Sequence, residues 1–321
     1  MDVGSPGHPP GHNLAALAIA SLAAFGSGCS GDEADNGTGS EPGLESMRLG
    51  RVHVVIEPEA ERLIDEDIDD AEAFEISARF AFVQGFDEDF VRARVDMPLL
   101  PTEVVRPGDC IASDQLATAG PYEAEVTDLQ ELHLVDAGNL SVQIGEDDID
   151  VPLSLVPDLL PYMHGVEYLY FDDELPPELP DDGGLVYVEA KGSQTEEFPP
   201  FRAEGEVPAA LALDVTDNDL AELGKGALVL RWAGEGEGLI TVRLTGLQGG
   251  QPVGADLTCV LNDVGQTRLS FDGLRPLGLM LDAEALRVTA SRLQATQFDA
   301  GDFVGSELFV ERREKIVLPL R

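Results

Sequence analysis

Phe74-Glu75-Ile76-Ser77-Ala78-Arg79-Phe80-Ala81-Phe82-Val83 sets Phe74, Ile76, Ala78, Phe80 and Phe82 on one face of an extended chain. A helix of period 3.6 would scatter those side chains around its circumference, whereas a strand of period two lines them up. Upstream, Gly50-Arg51-Val52-His53-Val54-Val55-Ile56 gives a second strand signal, closed soon after by Pro58. Only an acidic stretch, Asp65 to Asp70, interrupts the two, so they are expected to pair.

The rhythm continues at Phe90–Val95, Glu131–Val135, Leu140–Ile144, Val166–Phe171 and Leu185–Ala190. It returns at Ala209–Val215, Ala227–Trp232, Leu239–Leu244, Asp256–Leu261, Thr267–Phe271, Leu286–Leu293, Glu307–Val310 and Lys315–Leu318. Pro, Gly and Asp clusters separate these runs, a spacing that predicts an all-β fold of antiparallel β-sandwich architecture rather than a βαβ chain. Helix is expected only at Thr216–Leu223 and Asp282–Ala285. No repeat of fixed 20–50-residue period is present, which argues against a solenoid or propeller. The Pro-rich runs Leu175–Pro180 and Phe198–Phe201 cannot lie in central strands. The second suggests a boundary between two packed immunoglobulin-like sandwich domains, 49–203 and 204–321.

The chain has 321 residues, long enough for one large β domain or two modest ones, and is 43% apolar and 25% charged, a balance that predicts folding rather than disorder. Against 61 Asp and Glu stand only 20 Lys and Arg, a net charge of −41 that excludes nucleic acid as a partner. Adaptation to high salt and a role involving cations both fit such acidity.

Leu14 to Phe25 is an apolar run broken only by Ser21 and too short for the ~20 residues of a spanning helix, and it fits the core of a signal peptide over 1–28. Gly26-Ser27-Gly28-Cys29 follows, small residues leading into a cysteine. It resembles the lipobox at which bacterial lipoproteins are cleaved and acylated, which implies Cys29 as the lipid attachment site and membrane anchorage in the cell envelope. Gly26 departs from the aliphatic residue usual there. Residues 29–48, rich in Gly, Ser, Asp and Glu, read as a disordered linker between membrane and folded body. Cys110 and Cys259 remain as an even pair in a chain bound for an oxidising compartment, and a disulfide between them is expected.

Chemistry is harder to find. Asp65, Asp67 and Asp69 occupy positions 1, 3 and 5 of a calcium-loop pattern, but position 6 is Asp70 instead of Gly and position 12 is Ile76 instead of Glu. A solvated acidic loop is the plainer reading, with calcium as a weak alternative. Asp214, Asp217 and Asp219 form a second cluster, read as a turn or helix cap, and Glu146 to Asp150 a third. His53, His133 and His164 sit in no H-E-x-x-H pattern, and no two are near enough in sequence to suggest a zinc pair. No G-x-S-x-G elbow follows the signal peptide. Gly234-Glu235-Gly236-Glu237-Gly238 reads as a hairpin turn between strands. Trp232 alternates with Leu228 and Leu230 and belongs in a core.

The run Leu134 to Val142, the segments Val207-Pro208-Ala209 and Leu230 to Gly234, and Thr258-Cys259-Val260 with the Asp263-x-Gly265 turn together resemble uncharacterised lipoproteins of the myxobacterial type. The likeness spans roughly 108–294. It implies a β-rich envelope protein and transfers no catalytic residues. The expectation is therefore an exported, lipid-anchored, non-catalytic binding or structural module with an envelope or extracellular ligand. A secreted carboxylate-dependent hydrolase and a calcium-stabilised adhesion module are the alternatives.

Overall fold

Phe74 to Val83 forms the heart of a strand that pairs antiparallel with the strand carrying Val52, Val54 and Ile56, in the register Val52↔Ala78, Val54↔Ile76 and Ile56↔Phe74. The computed structural model describes residues 46–320 except 58–60, 63–72, 96, 98, 118–129, 161–162, 173–183, 235–237 and 280–282. Cys29 and the Asp65, Asp67, Asp69 loop lie outside the described residues.

In chain order the elements are β1 (Ser46–Glu57), β2 (Glu61–Arg62), β3 (Ala73–Gln84), α1 (Glu88–Arg94), α2 (Pro101–Val104), β4 (Cys110–Ala112), α3 (Ser113–Ala117), β5 (Glu131–Leu134), β6 (Leu140–Ile144) and β7 (Asp147–Val151). After them come β8 (Leu153–Leu160), β9 (Met163–Asp172), β10 (Gly184–Ala190), β11 (Phe201–Val207), α4 (Asp217–Leu223), β12 (Ala227–Arg231) and β13 (Leu239–Gln248). The chain closes with β14 (Gln251–Asn262), β15 (Gln266–Ser270), α5 (Phe271–Leu274), β16 (Ala285–Ala300) and β17 (Phe303–Pro319).

All-β is thus the fold class, built on one 11-stranded sheet ordered β4-β14-β13-β16-β17-β1-β3-β5-β9-β8 along its main path, with β2 beside β17. Smaller sheets, β11-β10-β6-β7 and β12-β15, complete it. Pairing is mixed rather than purely antiparallel, since β1 runs parallel to β17 and β5 parallel to β9. One face of the long sheet carries two cores. Around β1 and β3, Val54, Ile76 and Phe80 meet Val142, Val188 and Phe201 of the four-stranded sheet. Around β13, β14 and β16, Val242, Leu257 and Val288 meet Leu228, Leu230 and Trp232, with Leu223 of α4 and Phe271 of α5.

β17 joins the two cores: its Leu308 and Val310 belong to the first, Ile316 and Leu318 to the second. At ~3.3 Å per residue its 17 residues are long enough to reach both. Strands from both sides of the expected 203/204 boundary therefore share one hydrogen-bonded sheet. Leu44–Arg321 is a single unit, so 49–203 and 204–321 are not separate immunoglobulin-like bodies. Pro199 and Pro200 mark only the connection into β11.

Three local expectations are corrected. Phe90 to Val95 lies largely in α1 instead of a strand, because Phe86 and Phe90, four residues apart, stack at 5.1 Å and are buried with Val91 and Val95. Ala285 opens β16 instead of ending a helix. Gly234 and Gly238 do not bound a hairpin, since β12 and β13 lie in different sheets. The helix expected at Thr216 is present as α4: Thr216 caps it, and Asp219 answers from the third position in a reciprocal capping box.

Candidate functional site

The second face of the long sheet is polar. Strand alternation that sends Val52, Val54 and Ile56 into the core points Arg51, His53, Val55 and Glu57 the other way, and the same parity turns Arg243 on β13, Thr289 on β16 and Arg313 on β17 to this face. Across this face lies a groove of about 1130 Å³. A strap, residues 86–117, bridges it.

The strap is held at both ends. Near β3, Phe86, Phe90, Val91, Val95 and Met97 pack on Ala81, Val83, Leu132 and Leu134 in a small apolar cluster. At the far end α2 rests on β13 and β14, and β4 pairs with β14 in the register Cys110↔Cys259, where the expected disulfide forms. Ser113 and Thr258 add a hydroxyl hydrogen bond of 2.7 Å. From β3 to β14 is five interstrand steps, roughly 24 Å at ~4.8 Å each. That span leaves room beneath the strap for an extended ligand.

Acids outnumber Lys and Arg by 61 to 20 in the chain, yet along the groove seven cations (Arg51, Arg79, Arg92, Arg243, Arg287, Arg313 and Lys315) face four acids, Glu57, Glu75, Asp256 and Glu311. Several form a fixed lattice. Arg51 holds Glu307 at 2.8 Å, and Arg79 holds Glu167 at 2.8 Å. Arg313 grips Glu311 through two N–H groups at 2.9 Å, and His53 donates to the same carboxylate at 3.0 Å. Arg313 and Lys315 also pair with Glu57. Burial alone would raise the Glu311 carboxyl, but the His53 hydrogen bond and the Arg313 guanidinium outweigh it and hold the group well below the usual carboxylate range. Glu311 stays ionised, which disqualifies it as a general acid. Arg313 is correspondingly pushed up by Glu311 and Glu57 against its own burial.

Arg243 differs from these. It is exposed and, among the described residues, makes no ion pair or hydrogen bond. Its neighbours in register are Thr289 on β16 and Thr258 on β14, so a guanidinium fork stands between two hydroxyls. Ser77, Thr241 and Ser291 extend the hydroxyl lining. The donors suit a polar anion: guanidinium binds carboxylate or sulfate bidentately, and hydroxyls both give and accept.

Other sequence candidates are taken up structurally. Asp219 accepts from Arg231 through both carboxylate oxygens at 3.1 Å and from Thr216 at 2.6 Å, contacts that hold it down to about 2, so a guanidinium already occupies the place of a cation in the second acidic cluster. Asp147, Asp148 and Asp150 lie on β7, the exposed edge of its sheet, where charge discourages further strand pairing. Trp232 is buried in the second core, and its indole N–H donates to Asp263 at 2.6 Å. Sequence reading missed the juxtaposition of two histidines: His133 and His164, 31 positions apart, are register partners of the parallel β5–β9 pair, their rings stacked with centroids 4.6 Å apart. Only knowledge of the β5–β9 pairing could have revealed it.

In comparisons with known proteins, no family model matches the chain and no curated protein matches it. Among the described residues no helix is long and apolar enough to cross a membrane, a statement about helices alone.

Proposed function

We propose that this is an exported, lipid-anchored envelope protein that binds an anionic, hydroxyl-rich ligand, an acidic oligosaccharide, in the strap-covered groove, without catalysing its conversion. The single observation behind the binding role is the reversal of charge: seven of the chain's 20 Lys and Arg line one groove of a molecule with net charge −41. Away from that groove the acidic surface repels polyanions, so a ligand of that sign is directed to the groove, where Arg243 stands without an ion-pair partner among the described residues. The export and anchor rest on the signal-like core 14–25 and on Cys29. Acylation at Cys29 predicts detergent partitioning of the native chain that Cys29→Ala abolishes.

Titration calorimetry with oligogalacturonate, and with a neutral maltooligosaccharide of equal length, tests the groove. Binding of the acidic oligomer alone, weakened tenfold or more by Arg243→Glu, is the expected result. Equal binding of both sugars, no binding of the acidic one, or indifference to Arg243→Glu overturns the reading. Arg243 is exposed and contributes no core contact, so the variant should fold.

A further inference from the structure

At the β5–β9 corner, away from the groove, donors of metal-binding type converge. Glu131 and His133 are two residues apart on β5 and therefore share a face, and His164 on β9 lies directly across from His133. One donor atom from each of the three lies within 4.8 Å of the others. Glu196 approaches from a different element, the turn before β11, with its carboxylate 3.7 Å from His133 Nε2.

The local backbone fixes these four groups. Gly165 follows His164 with φ +125°, and a Cβ there would stand 1.9 Å from the Leu134 carbonyl oxygen, so only glycine lets β9 lie this close to β5. The turn carrying Glu196 is closed by reciprocal backbone hydrogen bonds between Ser193 and Phe198, both 2.9 Å. Ser193 is tied in turn to Asp136, which also accepts from the buried Tyr168 hydroxyl at 2.9 Å.

We propose that Glu131, His133, His164 and Glu196 form a binding site for a transition-metal dication of the Zn²⁺ type. Two imidazoles and two carboxylates are a donor set that Zn²⁺ accepts, and imidazole discriminates against Ca²⁺ and Mg²⁺, which prefer oxygen alone. Donors around Zn²⁺ at ~2.0–2.1 Å bond lengths stand ~3.4 Å apart, so movements of about an ångström close the Glu131, His133 and His164 triad, and Glu196, 3.7 Å from His133 Nε2, supplies the fourth donor. Bound metal would clasp β5, β9 and the 193–198 turn.

The test is calorimetry of the full chain, first freed of metal with EDTA, titrated with ZnCl₂ at neutral pH in the presence of 1 mM CaCl₂, with CoCl₂ spectra in parallel. One Zn²⁺ per chain at micromolar or tighter affinity is expected, with His164→Ala weakening it at least tenfold and Co²⁺ giving visible bands of low-coordinate nitrogen ligation. Because His164 is exposed its removal should leave the fold intact, and equal melting temperatures in EDTA verify this. Glu131→Gln, also exposed, is the second variant should His164→Ala fail to fold, and it too should weaken binding. Binding that both variants leave unchanged would mean diffuse association with the many carboxylates and would overturn the site, as would no binding below millimolar Zn²⁺.

Discussion

At the scale of single residues the most demanding group is Arg292, buried beneath the second core with Asp263. Its Nε and one terminal nitrogen reach the two Asp263 oxygens at 2.7 and 3.0 Å, and the remaining N–H groups go to the carbonyls of Ala209, Ala210 and Ala233. All five donors of the guanidinium are thereby used, and Asp263 also receives the Trp232 indole N–H. Such a pair is weak evidence for net stabilisation, since desolvation offsets the attraction, but removing one member leaves a buried charge alone. Asp263→Ala should therefore cost about 3–5 kcal/mol in urea unfolding. A loss under 1 kcal/mol would show that water reaches the site. The sequence revealed the burial of Trp232, because alternation with Leu228 and Leu230 is local, and it revealed the capping role of the Asp217–Asp219 run. It could not reveal Arg292 with Asp263, or His133 with His164, because those partners meet only once strands have chosen neighbours.

Among the elements, the strap gives the groove its second wall, and it is the part of the chain least legible in sequence. Phe90 to Val95 is short enough to pass for a strand when read alone, and the single four-residue step from Val91 to Val95 becomes a helical pattern only when Phe86 to Phe90 repeats it. Cysteine counting, by contrast, found the disulfide, since setting Cys29 aside as the expected acylation site leaves two cysteines and one pairing. What the count could not say is that the bridge fastens the strap to β14, at the opposite end from its apolar anchor. The bonded residues are 149 apart, a separation for which the chain-entropy model allows about 5 kcal/mol, less any strain. Cys110→Ser should lower stability by about 2–5 kcal/mol and weaken oligogalacturonate binding, because the free strap must then be ordered by the ligand. Peptide mapping without reductant checks the bond itself. A mutant that loses stability while keeping full affinity would separate the strap from the groove's function.

For the whole molecule, the consequence turns on β17. The local signals that made the strands legible, alternation and turn residues, say nothing about which strands share a sheet, so a proline pair near position 200 suggested a domain boundary. Hydrogen bonding overrides it: β17 pairs with β16 along nearly its full length and with β1 on its other side, and its even-numbered residues serve first one core and then the other. Loss of either core would strand half of β17 and β16 without a packed face. The two cores should accordingly unfold together, and scanning calorimetry of residues 44–321 should give one transition whose calorimetric and van't Hoff enthalpies agree. Two resolved transitions, or a van't Hoff enthalpy near half the calorimetric value, would mean that the cores melt separately despite their shared strand. In that case the groove, whose floor is drawn from β1 and β3 on one side and β13 and β14 on the other, would open along β17 before the protein unfolds, and ligand should raise only the lower of the two midpoints.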